Sequence, residues 1–242
     1  MKGKSNTVEN KWKKVAILFI VLFIVFSVIS GFLFMKTSYP SRIATKMGIG
    51  GYSPSGRESY LIEAWSGALD DFDTDVVFLG DSITYGGDWE EYFPELSVCK
   101  LAVPGESIEQ ILYRADMIEK LQPQKVFVLA GVNNISRGHY EDTIKKNYSL
   151  LLQELSEMNC EIYVQSILPV RTPSEVDNSR IDIANEIIEG LANDYGCVYI
   201  DIHTAFLDEN SEMKEELTKD GIHLNENGYA VWIEQIESYV QD

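Results

Sequence analysis

The chain is predicted to be an α/β protein with a five-stranded, mainly parallel sheet between two helical layers. Five short runs predict the sheet: Val76–Leu79, Val98–Leu101, Lys125–Ala130, Glu161–Ile167 and Cys197–Ile200. They are rich in Val, Ile, Leu and Phe rather than strictly alternating, as strands covered on both faces are. The segments between them predict the helices. Ser107–Leu121 places Ile108, Ile111, Leu112, Ala115, Ile118 and Leu121 at steps of three and four, Thr143–Met158 and Ile181–Tyr195 repeat the arrangement, and Asn225–Val240 closes the chain. Strands that alternate with helices need crossover connections, and those make a parallel sheet.

In chain order, the first element is apolar. Val15–Met35 is a run of 21 residues without a charge, long enough to span a hydrocarbon core as a helix. It lacks the polar face that a buried core helix keeps. A cleaved signal peptide, which would leave a secreted protein, is the alternative, but bulky apolar residues continue past Gly31 beyond the usual length of such a segment. An uncleaved anchor is therefore expected. Lys11, Lys13 and Lys14 abut its start while Lys36, Arg42 and Lys46 are sparser beyond it, which leaves residues 1–14 in the cytoplasm and the rest outside. Residues 36–74 read as a linker with a short helix: Gly48, Gly50, Gly51, Pro54 and Gly56 crowd the first part, and Tyr60, Leu61, Ala64, Trp65 and Ala68 share one helical face in the second. The α/β domain is expected over 75–242.

Composition narrows the partners. The formal charge is −18; residues 1–36 carry six lysines against Glu9, a net of +5, which leaves −23 on the remainder. So acidic a body is repelled by a phosphate backbone, and nucleic acid is excluded as an expected partner. Cys99, Cys160 and Cys197 are widely spaced, with no Cys-x-x-Cys pair and too few nearby histidines for zinc. They are expected to be small buried hydrophobes, with room for one disulfide at most. The oligomeric state is left open.

The polar residues that matter collect where strands end, the edge at which open parallel sheets carry chemistry. The first strand delivers Gly80-Asp81-Ser82, the second Pro104-Gly105-Glu106, the third Gly131-Val132-Asn133-Asn134, and the fifth Asp201 and His203; Asp220-Gly221-Ile222-His223 precedes the last helix. Alone, Gly-Asp-Ser is the composition of an ordinary turn. Together these blocks contain a hydroxyl nucleophile, an imidazole base, a carboxylate to orient it and N–H donors for an oxyanion. Of the three histidines, His139 has no carboxylate three residues before it, and His203 can pack behind the fifth strand. The three-residue step from Asp220 to His223 suits a turn in which the carboxylate reaches the ring.

Gly80-Asp81-Ser82-Ile83-Thr84 after a strand, Gly105 in the second block, Gly-x-Asn in the third and Asp-x-x-His before a C-terminal helix resemble the SGNH (GDSL-type) hydrolases over residues 75–240. The resemblance implies a flavodoxin-like three-layer α/β/α sandwich and a serine esterase that works without metal or organic cofactor. It implies Ser82 as nucleophile, His223 as base and Asp220 as its orienting carboxylate. The implied oxyanion hole consists of the Ser82 and Gly105 backbone N–H groups and the Asn133 amide. Two departures stand out. Asn134 replaces the Asp that usually follows the block-three Asn, and Lys100 and Ala102 occupy fixed positions of the second block, so that only Gly105 is kept there.

Tyr85, Trp89, Asn134, Arg137 and Arg171 lie in the segments after strands and are expected to shape the substrate pocket. The expected activity is deacylation of a cell-envelope or extracellular ester: an acetylated glycan, a lipid or a small ester. An O-acyltransferase acting on a glycan with the same triad is the alternative, as is an inactive surface-binding module.

Overall fold

The computed structural model describes residues 74–139 and 141–241. The cytoplasmic segment, the anchor at 15–35 and all but the last residue of the 36–74 linker lie outside the described residues, and among those described no helix is long and apolar enough to cross a membrane.

Five parallel strands form one sheet: β1 (Val76–Gly80), β2 (Val98–Ala102), β3 (Lys125–Leu129), β4 (Glu161–Gln165) and β5 (Val198–Ile200), in the order β2-β1-β3-β4-β5. They coincide with the apolar runs to within two residues. The reason is burial: Val76, Val77, Phe78 and Leu79 are all enclosed, so no polar alternation interrupts the signal. The order reverses between β1 and β3, because the chain leaves β1 toward β2 and later returns to β1's other side. The crevice at the carboxyl ends of these strands is where such sheets bind ligands.

The helices are α1 (Ser82–Tyr85), α2 (Trp89–Tyr92), α3 (Ile108–Tyr113), α4 (Asp116–Leu121), α5 (Val132–Ser136), α6 (Glu141–Ser156), α7 (Asn178–Asp194), α8 (His203–Phe206) and α9 (Glu226–Gln241), with a 3₁₀ turn at Glu215–Leu217. One expectation is corrected. Ser107–Leu121 is not one helix but two, broken at Arg114 and Ala115, where the N–H groups bond three residues back instead of four. The break accompanies the inward turn of Arg114, whose side chain is buried among carbonyls and a carboxylate.

The two faces of the sheet are packed differently. Paired across β1, β3 and β4, Phe78, Phe127 and Tyr163 form an aromatic row, with ring centroids 5.3 Å and 4.6 Å apart. Trp89 stacks on Phe78 at 3.9 Å, and Trp232 of α9 meets Trp89 edge-on at 4.8 Å. Such offset and edge contacts suit the ring quadrupoles. On the other side α6 packs against both α3 and α7, and Tyr148 from α6 donates to Ala130 O just past β3. The three cysteines are half-buried free thiols against the core, and none forms a disulfide.

Candidate active site

Ser82 opens α1 directly after β1. Asp81 caps this short helix by accepting the Ile83 N–H at 3.0 Å. Gly80 is required by close approach, since a Cβ there would stand 2.1 Å from Thr84 Oγ1 and 2.6 Å from Leu129 O of β3. Tyr229 of α9 donates to Ile83 O at 2.7 Å and ties the helix to the far layer. Ser82 therefore sits on a turn fixed from three directions.

The structure brings Ser82 and His223 together across 141 residues: Ser82 Oγ lies 3.0 Å from His223 Nε2, and His223 Nδ1 lies 2.7 Å from Asp220 Oδ2. The other carboxylate oxygen, Asp220 Oδ1, accepts the Ile222 and His223 N–H groups. Burial alone would raise the Asp220 pKa, but the His223 N–H, its ring and the Ile222 N–H together lower it below the usual carboxylate value. A proton on Nδ1 leaves Nε2 as the acceptor for the Ser82 hydroxyl. The loop that presents His223 is stitched by hydrogen bonds to its main chain. His223 O accepts from Lys219 N and Thr218 Oγ1, Gly221 N donates to Thr218 Oγ1, and Asn225 donates to Glu216 O and Thr218 O while accepting from Gly228 N at the start of α9.

Asn133, in α5 after β3, donates from Nδ2 to Asp81 Oδ2 and to Glu106 O, both at 3.0 Å. It thus joins the loops that follow β1 and β2. Gly105 has φ +84°, with no atom within 4 Å of where a Cβ would lie, so glycine is required there for its left-handed backbone rather than for space. Beneath this loop Glu106 and Arg114 form an ion pair, each side chain 1% exposed. Arg114 also donates to Leu101 O and Gly80 O at the ends of β2 and β1.

Asp81 is likewise buried, and its carboxyl is pushed up to about 6, chiefly by desolvation, against the lowering pull of the Ile83 N–H, His223 and Asn133. Among the described residues no three His, Cys, Asp or Glu side chains are grouped so as to hold a metal ion.

The expected pocket residues divide. Tyr85 is exposed one helical turn from Ser82, with Lys100 Nζ 5.2 Å over its ring; Lys100 also donates to Tyr85 O and Gly87 O, so this departure in the second block clamps the segment after the nucleophile's helix. Arg137 is exposed and donates to Gly105 O at 2.6 Å. Two residues need correction, and a third has a structural role as well. Trp89 lines no pocket: it is buried in the aromatic core and donates to Thr84 O, because its ring finds Phe78. Asn134 is fully enclosed and bridges two elements, accepting from Ile108 N and donating to Glu109. An Asp there would face the Glu109 carboxylate, which accounts for the amide. Arg171 is a loop anchor, pairing with Asp208, donating to Met213 O, and giving its own N–H to Gly221 O beside Asp220.

The rival histidines lie elsewhere. His203 bonds Ile167 O behind β4, and His139 faces Asn134 and Glu109. Sequence reasoning missed Glu106 and Arg114. The signal was present: Arg114 stands three residues after Ile111, inside the apolar stripe, where a charge must be paired.

Comparison with known proteins points to one family. The model of the GDSL-like Lipase/Acylhydrolase family matches residues 78–231. A multidomain esterase of Ruminococcus flavefaciens is 31% identical over 145 residues, 55% of this chain but 18% of that protein, so the chain spans under a fifth of that relative. The platelet-activating factor acetylhydrolase IB subunit alpha1 of Bos taurus is 25% identical over 172 residues, 66% of this chain and 72% of the relative. Among solved structures, a GDSL-like lipase from Bacteroides thetaiotaomicron superposes with a TM-score of 0.66 at 21% identity, covering 74% of this chain and 97% of its own. An acetyl xylan esterase superposes at 0.61 and 24% identity, covering 69% and 99%. These likenesses establish the shared fold. With the family match across most of the sheet and every block of the site, the chain belongs to the GDSL-like lipase/acylhydrolase family and is a hydrolase of ester bonds.

Proposed function

We propose that the protein is a membrane-anchored serine esterase whose catalytic domain faces outward and removes a short acyl group from a cell-envelope or extracellular ester. The observation that carries this reading is the chain of contacts from Ser82 Oγ through His223 to Asp220. His223 Nε2 takes the hydroxyl proton as Ser82 Oγ attacks the ester carbonyl, and Asp220 steadies the imidazolium that forms. The Ser82 and Gly105 N–H groups and the Asn133 amide receive the oxyanion as the carbonyl carbon becomes tetrahedral. Collapse expels the alcohol with the proton from His223. Water then enters by the same route, giving its proton to His223 and its oxygen to the acyl carbon, and Ser82 is restored.

Two relatives are named for acetyl groups, an acetylhydrolase and an acetyl xylan esterase. This favours acetate as the acid released, with an acetylated glycan as the substrate class that suits an outward-facing domain. The uncharged run at 15–35 with lysines before it supports the anchor and its orientation.

The full-length protein in detergent is expected to release acetate from an aryl acetate and to be labelled at Ser82 by a fluorophosphonate. Ser82→Ala should lose both. Undiminished turnover in that variant would overturn the assignment, and acyl transfer to an added glycan outpacing acetate release would replace hydrolase with transferase.

A further inference from the structure

A carboxamide nitrogen has two hydrogens, and both on Asn133 Nδ2 are already committed, one to Asp81 Oδ2 and one to Glu106 O. An oxyanion can therefore receive this amide only by sharing a hydrogen with one of those acceptors. The orientation in which the amide waits is set by them. Glu106 O belongs to the Gly105 loop, which is braced by the buried pair of Glu106 with Arg114. Asp81 supplies the other acceptor, and its remaining oxygen holds Ile83 N in the helix that begins with Ser82.

We infer that Asp81 is a positioning residue of the ester-hydrolysing site: by accepting from Asn133 Nδ2 and Ile83 N at once, it sets the amide donor in register with Ser82 Oγ. The inference rests on the assignment of Ser82 as nucleophile and Asn133 as oxyanion donor. A helix cap by itself needs one acceptor, which Ser, Thr or Asn supplies at no cost in buried charge. The second oxygen is what only a carboxylate provides here, since an Asn at 81 would turn either a donor toward Asn133 or a donor toward Ile83 N–H. Its burial, at 1% exposure, is a standing expense that capping does not require.

Asp81 could instead act through its charge on the His223 imidazolium, and a double-mutant cycle separates the two. Kinetics on an aryl acetate with the full-length protein in detergent would compare wild type, Asp81→Ser, Asn133→Ala and the double variant. Serine keeps a cap acceptor yet is too short to reach Asn133. Asp81→Ser is expected to lower kcat by roughly tenfold to a hundredfold with KM within about threefold. Asn133→Ala should lower kcat by about a hundredfold or more, and adding Asp81→Ser to it should cost less than about twofold further. Fluorophosphonate labelling of Ser82 should survive in all of them.

A near-normal kcat in Asp81→Ser would overturn the inference, and so would a double variant that shows the full product of the two losses. If Asp81→Ser does not accumulate as folded protein, Asp81→Asn, which keeps the shape of the side chain, carries the same cycle. A wild-type rate in Asn133→Ala would instead overturn the underlying assignment of the oxyanion donor, an outcome distinct from failure at Asp81.

Discussion

On the Asn133 side of the site the side chains are buried and cross-linked by charge, whereas on the His223 side they are half exposed and hydrogen bonds to the main chain do the positioning. Asp81, Glu106 and Arg114 are each 1% exposed, while the side chains of His223 and Asp220 stand at 43% and 53%. The buried side grows from three adjacent strand ends, so its groups are fixed by the sheet and need only be paired. The exposed side lies in the irregular segment before α9, well past β5 in the sequence. There Thr218, Asn225 and the Arg171 N–H to Gly221 O supply the order that a sheet would. Charge on the buried side is costly to disturb for stability; on the exposed side it is costly chiefly for chemistry.

The largest expected effect is on the exposed side. In Asp220→Asn the amide would donate to His223 Nδ1 and force its proton onto Nε2, so the imidazole could no longer take the Ser82 proton. A fall in kcat on the order of 10⁴, equivalent to about 5 kcal/mol in the barrier, is expected. The melting temperature should stay within about 3 °C of wild type. A large drop in melting temperature would show that the loop depends on this carboxylate for folding as well.

Next comes Arg114→Met, which strands the Glu106 carboxylate in the core. Denaturant titration should show a loss of about 3–5 kcal/mol. Replacing Glu106 by Leu as well should recover much of it, because the buried charge is then gone. A loss under about 1 kcal/mol would erase the contrast between the two sides.

The smallest effect is a pH signature with opposite signs on the two sides. The Asp81 pKa rises on folding from 3.8 to about 6, so between these values the native protein binds more proton than the unfolded chain. Stability from this group is full below 3.8 and is lost as pH rises through about 6, a change of about 3 kcal/mol. Asp220 is lowered on folding, so its contribution is present above its unfolded value and lost as pH falls through the folded one. The difference in unfolding free energy between wild type and Asp81→Asn, measured from pH 4 to 7, should move in favour of the variant as pH rises. A flat difference would remove Asp81 from the account of buried charge.

Much of this was legible before the structure. The inner strands β1, β3 and β4 were readable because strands buried on both faces are continuous apolar runs. The blocks at their ends were readable because a parallel sheet presents all its carboxyl ends on one edge. The long helices were readable to within a few residues; α7 begins three residues earlier than its apolar period because Asp177 caps it through Ser179 N. What escaped was short or paired at a distance. A four-residue helix such as α1 or α2 contains too little of a 3.6-residue period to be detected. Trp89 stood among polar residues and read as a pocket wall, since nothing near it in sequence announces Phe78. Asn134 read as a pocket residue because its partners, Ile108 N and Glu109, lie 26 and 25 positions away.

The amino-acid sequence by itself determined the layered fold, the strand order's raw material and the residue types available at one edge, because hydrophobic periodicity and turn chemistry act over a few neighbours. Only the tertiary structure decided which of the acidic side chains are enclosed, that Arg114 turns inward to Glu106, and that both hydrogens of Asn133 are spent on Asp81 and the Gly105 loop. Those outcomes depend on the separation of strand ends brought together from distant parts of the chain, and in such places a hydrogen bond exists or fails over a few tenths of an ångström.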